Sequence, residues 1–150
     1  MKLSDKGFTL IELLFTFSIL VFCLCGLLLT YINMYILSDL SRDLTLANNT
    51  VQAEMEIVKR TNFDNLLALN GTTFNIPSFA GTDAIGVREV TTTAYADLRR
   101  VRIIACFKSR GRVIGEDRNL NGALDIAAGE DANGNERLDS PVEVVTLIAR

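Results

Sequence analysis

From Leu13 to Ile32 no residue carries a charge, and the run Leu13-Leu14-Phe15 through Leu27-Leu28-Leu29 is almost wholly apolar. About 20 such residues make roughly 30 Å of α-helix, enough to cross a bilayer once. A secretory signal peptide has a shorter apolar core, about 7 to 15 residues, ending at a small-residue cleavage site. A buried core helix seldom runs this far without charge. A membrane-spanning helix is therefore expected, and the lipid bilayer is the first partner. In the leader Lys2 and Lys6 stand against one Asp5, and the next charges after the run are Asp39, Arg42 and Asp43. The basic flank favours a cytoplasmic N-terminus, with everything past the span outside.

One acid interrupts this picture. Glu12 stands at the start of the apolar run, in Lys6-Gly7-Phe8-Thr9-Leu10-Ile11-Glu12-Leu13-Leu14. A carboxylate is costly in hydrocarbon and needs a partner, which points to a packed subunit rather than a solitary anchor.

The short polar leader, the Gly-Phe junction, Thr-Leu-Ile-Glu and the hydrophobic stretch together resemble the class III signal of type IV pilins and the pseudopilins of type II secretion. That resemblance implies cleavage between Gly7 and Phe8 by a prepilin peptidase, N-methylation of the new Phe8 amine by the same enzyme, and a match of Glu12 to the family's fifth-position glutamate. It also implies that Glu12 of one subunit meets the Phe8 amine of the next and helps to set axial register. The further partners it implies are other pilin or pseudopilin subunits and an inner-membrane assembly platform. Major pilins of this family often carry a proline within the span. Here the only prolines are Pro77 and Pro141, which slightly favours a minor component.

Beyond the span, Leu40, Leu44, Ala47, Val51, Met55 and Val58 recur at steps of three and four, with Asp39, Arg42, Asp43, Asn48, Glu54 and Lys59 on other faces. This spacing predicts an amphipathic continuation of the helix. Asn62 to Leu67 reads as its end or a short extra turn, Asn70-Gly71 as a turn, and Thr72 to Gly81 as a tethered loop. Strands are expected at about Ile85 to Tyr95, Arg99 to Lys108 and Val142 to Ala149. Arg110-Gly111 reads as a turn, and Val113-Ile114 as a short hairpin partner. In the second strand Val101, Ile103, Ala105 and Phe107 alternate with Arg102, Ile104, Cys106 and Lys108, imperfectly because Ile104 is apolar. The expected fold is α+β and type IV pilin-like: a leader at 1–7, a transmembrane segment at 8–32, an amphipathic continuation at 33–62, and at 63–150 a small antiparallel sheet packed on the outer half of the helix. Helix-proximal Gln52 to Glu56 followed by a compact sheet is similar to minor pilins of the PilV type and minor pseudopilins.

Within the head, 115–141 is distinctive. Gly115-Glu116-Asp117-Arg118-Asn119-Leu120-Asn121-Gly122-Ala123-Leu124-Asp125 is echoed fourteen residues on by Gly129-Glu130-Asp131-Ala132-Asn133-Gly134-Asn135-Glu136-Arg137-Leu138-Asp139. Oxygen ligands on alternate residues of a tight turn suit Ca2+, which takes six to eight of them. Asp117, Asn119, Asn121 and Asp125 fall on EF-hand loop positions one, three, five and nine, with Gly122 at six and the Ala123 carbonyl as a further oxygen. Asp131, Asn133, Asn135 and Asp139 do the same in the second unit, where Glu136 replaces the glycine. The EF-hand's twelfth-position glutamate is missing, since Ala128 and Val142 stand there. The spacing more closely resembles the short calcium repeats of dockerins and thrombospondin type 3 segments. Glu130 or Asp131 is then expected to close the first site, and Glu143 to help the second. The competing interpretation is a solvated loop of Asx-turns. Extracellular calcium modules bind at about 10⁻⁴ to 10⁻³ M, which agrees with a head in an outer compartment.

Catalysis has little to stand on: there is no histidine, and no nucleophile elbow, phosphate loop or zinc-ligand cluster. The net charge of −3 argues against nucleic acid, and Arg99, Arg100 and Arg102, the one dense basic cluster, read as a solvated strand edge. Cys23 and Cys25 lie in the span, leaving Cys106 without a disulfide partner in the head. Two function classes remain. The first is a non-enzymatic subunit, minor in type, of a type II secretion pseudopilus or type IV pilus, anchored in the bacterial inner membrane with a periplasmic head. The second is a monomeric, membrane-tethered, calcium-stabilised binding or adhesion module.

Overall fold

The computed structural model describes residues 9–77 and 79–150, and contacts divide the chain into a unit ending at Asp39 and a unit from Leu40 to Arg150. One helix, α1 (Leu10–Arg60), contributes to both.

In the first unit every described residue before Ser38 is exposed, including Leu13, Phe17, Phe22 and Leu28. The helix is long and apolar enough there to span a membrane. Three of its hydroxyls are satisfied within the helix. Thr16 Oγ1 donates to the Glu12 and Leu13 carbonyls, Ser18 Oγ to Leu14 and Thr30 Oγ1 to Gly26, each at 2.9 to 3.0 Å. Such back-bonding lets hydroxyls sit in hydrocarbon without an orphaned donor.

In the second unit α1 buries Ala47, Val51, Met55 and Val58, the stripe the spacing predicts. It is followed by a 3-10 helix (Phe63–Leu69), capped by Asn62, whose side chain accepts from the Asp64 amide. Five strands then form one antiparallel sheet: β1 (Thr72–Phe74), β2 (Ala84–Thr92), β3 (Leu98–Ser109), β4 (Arg112–Ile114) and β5 (Val142–Ala149). β3 is central, flanked by β2 on one side and by β5 and β4 on the other. The β3–β4 hairpin turns at Arg110-Gly111, both with positive φ, as the twist of a two-residue hairpin requires. The α+β class, the antiparallel sheet and the helix packed on it follow the sequence expectations. The segment from Thr72 to Gly81 departs from them: Thr72 to Phe74 pair with β2 rather than looping free.

The sheet has two covered faces. On one, Val90, Val101, Ile103, Ala105 and Phe107 pack against the α1 stripe with Leu66 and Ile76. On the other, Val87, Ile104 and Cys106 are buried beneath Leu138, with Leu120 and Leu124 packed alongside. Hence Val101 to Phe107 are buried without alternation. Ile104 breaks the period because a third layer, the 115–141 loop, covers its face.

A paired acidic loop on the outer sheet face

The two halves of the loop repeat in conformation as well as sequence. In the first, the Asn121 and Gly122 amides donate to Asp117 Oδ1 and Oδ2 at 3.1 and 2.7 Å. In the second, the Asn135 and Glu136 amides donate to Asp131 Oδ1 and Oδ2 at 3.1 Å each. Asn119 and Asn133 each accept from the amide two residues on, as do Asn121 and Asn135, making successive Asx-turns. The left-handed positions also recur fourteen residues apart, at Leu120 and Gly134, and at Gly122 and Glu136. Glu136, where the repeat lacks its glycine, adopts φ 57° nonetheless, so the turn is imposed by the carboxylate and amide acceptors around it.

Each loop is braced by the glutamate that opens the other. Glu130 Oε1 accepts from the Arg118 and Asn119 amides, and its Oε2 from the Asp125 amide at 2.9 Å. Glu116 Oε1 accepts from Ala132 and its Oε2 from Asp139, at 3.2 Å each. Glu130 thus joins the first loop through backbone donors. Glu116 is the partner that the sequence reading did not assign, although the fourteen-residue repeat contains the signal.

At the mouth of the first loop the polar ends of Asn119 and Asn121 meet Asp125 Oδ2 at 2.7 and 2.9 Å. Asn133 and Asn135 meet Asp139 Oδ2 at 2.7 Å each. Both amides of a loop therefore converge on one carboxylate oxygen. In each asparagine Oδ1 accepts a backbone amide while Nδ2 donates to that carboxylate, so the Asx-turn fixes which end of the amide faces it. Among the described residues no three His, Cys, Asp or Glu side chains are placed to hold a metal by themselves. Ala123 lies in the first loop, its amide donating to Asn121.

The Asx-turns of the solvated-loop interpretation are present and 132–137 are exposed, but the underside of the segment is apolar. Leu124 and Leu138, the leucines that recur in register, both pack on the sheet. At Gly122 an added Cβ would lie 2.5 Å from Thr73 Cγ2 and 3.3 Å from Ile85 Cδ1, so the first loop rests directly on β1 and β2.

Charge is distributed unequally between the halves. Asp117 is fully buried and Glu130 is 2% exposed, and among the described residues neither is paired with a basic side chain. Burial pushes the Asp117 carboxyl above its ordinary value, and the nearby Glu130 adds to this, against the pull of the Gly122 and Asn121 amides. In the second half Asp139 Oδ1 pairs with Arg102, which also binds Glu89 at 3.0 Å and Glu143 at 2.7 Å. The hydrogen bond from Asn133, joined by those from Asn135 and Arg102 and by the charge of Arg102, outweighs the opposing effect of burial and holds the Asp139 carboxyl below the usual range. Two sequence expectations are corrected here. Arg102 is only 3% exposed rather than part of a solvated edge, and Glu143 serves Arg102 rather than the second loop. Neighbouring Arg99 lies 5.0 Å over the Phe63 ring.

At the other candidate site, Glu12 occupies the first turn of α1, where its amide donates to the Thr9 carbonyl at 3.1 Å and approaches Thr9 Oγ1 at 3.4 Å. Thr9-Leu10-Ile11-Glu12 thus has the residue pattern of a capping box, with the Thr9 half of it formed. Gly7 and Phe8 lie outside the described residues. Cys106 is buried and Cys23 and Cys25 are exposed, none of them in a disulfide. Comparison with protein families, curated proteins and solved structures finds no match to this chain.

Proposed function

We propose that the chain is a non-enzymatic structural subunit, minor in type, of a type II secretion pseudopilus or type IV pilus. In this reading a prepilin peptidase cuts after Gly7 and methylates Phe8, the first part of α1 holds the subunit in the inner membrane, and the head stands in the periplasm with calcium in its loop layer. The observation that carries it is one conjunction: an apolar helix with every described side chain exposed up to Leu37 begins directly behind Gly7-Phe8, with Glu12 as the acid of its first turn. A plain tether requires neither the junction nor the acid. A helix bare of contacts in the monomer supplies both a lipid-facing and a subunit-facing surface.

Mass spectrometry of the mature chain tests this. An N-terminal methylated Phe8 is expected in a host with an active prepilin peptidase, and retention of Met1 to Gly7 there rejects the reading. The second reading, a monomeric tethered module stiffened by calcium, draws on the buried and unneutralised Asp117 and Glu130 alone. It predicts an unprocessed chain that binds calcium and joins no filament.

A further inference from the structure

We propose that Asn133 is a site of spontaneous, backbone-assisted deamidation, which turns one of the two amides that hold Asp139 into a carboxylate. The chain has three Asn-Gly pairs, at 70–71, 121–122 and 133–134. Glycine after asparagine leaves its backbone nitrogen open to attack the side-chain carbon, because no Cβ crowds the approach. In each pair that carbon is already polarised. Oδ1 accepts a backbone N–H, from Val90 at 2.9 Å for Asn70, from Ala123 at 2.7 Å for Asn121 and from Asn135 at 3.0 Å for Asn133. A donor fixed on that oxygen stabilises the negative charge it takes on when the carbon is attacked. The electrophiles are therefore alike, and the nucleophiles decide.

The glycine nitrogen attacks only once it has lost its proton. Gly71 N–H donates to the Arg88 carbonyl at 2.8 Å, and Gly122 N–H to Asp117 Oδ2 at 2.7 Å. Removing either proton would break a bond the fold uses and set two acceptors face to face. Gly122 is also pressed against Thr73 and Ile85, so its backbone has little room to turn. The Gly134 amide makes no hydrogen bond among the described residues, and 132–137 are exposed. Of the three pairs, this one alone sets an untethered nitrogen beside a polarised amide carbon.

The reaction balances with water alone. The Gly134 nitrogen bonds to Asn133 Cγ, the Cγ–Nδ2 bond breaks, and Nδ2 leaves as ammonia with the proton that the Gly134 nitrogen gave up. Water then opens the cyclic imide at Cγ to give aspartate, or at the main-chain carbonyl to give isoaspartate. Either product removes the Nδ2 donor that meets Asp139 Oδ2 at 2.7 Å and adds a carboxylate beside it. Asp139 keeps Asn135 and Arg102 but gains a like charge as neighbour, which loosens the second loop.

The test is incubation of the full chain in detergent micelles at mildly alkaline pH, with peptide mass mapping over days and enzymatic methylation of isoaspartate as a second detector. In the folded chain Asn133 is expected to convert at least about tenfold faster than Asn70 and Asn121. In urea the three rates should converge, because the bonds at Gly71 and Gly122 are gone. Similar rates in the folded chain, or the same lead for Asn133 in urea, overturns the assignment. Gly134→Ala should slow conversion at Asn133 and spare the other two sites. Alanine is accommodated there, since Leu120 holds the equivalent left-handed position at φ 57°. An unchanged rate at Asn133 in the folded variant also overturns the assignment. Should the variant fail to fold, the comparison of the three sites in the parent chain carries the decision.

Discussion

The Phe74 ring fills the space that a side chain at Gly86, its cross-strand partner, would occupy: a Cβ there would lie 2.1 Å from Phe74 Cζ. The same ring carries the Arg88 guanidinium 4.9 Å above it, and Arg88 reaches Glu54 on α1 at 2.8 Å. One glycine thus allows the edge strand to lay an aromatic over β2 and, through Arg88, to brace the helix.

Gly86→Ala should therefore displace Phe74 and loosen β1. Overpacking of this kind costs about 1 to 3 kcal/mol. The expected outcome is a lower urea midpoint with unchanged slope, and a smaller loss in a Phe74→Leu background, where the ring is gone. Equal losses in the two backgrounds would show that the ring is not what the methyl meets.

Two candidate roles of Glu12 can be separated by experiment. If its charge pairs with the Phe8 amine of a neighbouring subunit, Glu12→Leu and Glu12→Gln should both insert normally and both impair assembly, because breaking a buried pair costs about 3 to 5 kcal/mol. If it serves only the helix cap beside Thr9, glutamine should retain most of the function. Crosslinking between subunits in membranes, with membrane fractionation as the insertion control, gives the comparison. Full crosslinking in Glu12→Gln would remove the charge from the assembly argument.

Calcium should raise the thermal midpoint of the head and chelation should reverse it. At ten times Kd, one site contributes about 1.4 kcal/mol, which amounts to several degrees for a domain of this size. Differential scanning fluorimetry at millimolar calcium checks this, and identical midpoints with calcium and with chelator would oppose a structural ion.

Much of the fold is legible in the sequence because its signals are periodic. The 44-47-51-55-58 stripe and the 101-103-105-107 alternation fall on the two surfaces that pack together. The outer layer is harder to read. Loop-forming Asn, Asp and Gly dominate 115–141, and the recurring Leu124 and Leu138 are the residues that reveal an apolar underside. Ile104 is the matching sign on the strand. Arg102 is hard to read for a different reason: its environment is made by Glu89, Asp139 and Glu143, which come together only through strand register and loop return. No local spacing encodes that.

Cys106 lies beneath the loop layer, and burial pushes its thiol from 9.0 to about 11. The folded chain therefore holds its proton more tightly than the unfolded chain does. The stabilisation this represents is fully present below pH 9 and is lost as pH rises towards 11, roughly 2 to 3 kcal/mol in all. Tyrosines and lysines titrate in the same window, so the measurement is the difference between the parent and Cys106→Ala, followed by urea unfolding at several pH values. The alanine variant should start less stable, because it leaves a small cavity, and should fall less steeply above pH 9. Alkylation mapped by peptide mass gives a second reading, with Cys106 blocked at pH 8 until urea opens the head. Parallel pH curves for the two chains, or ready labelling of folded Cys106, would mean that the loop does not seal this face of the sheet.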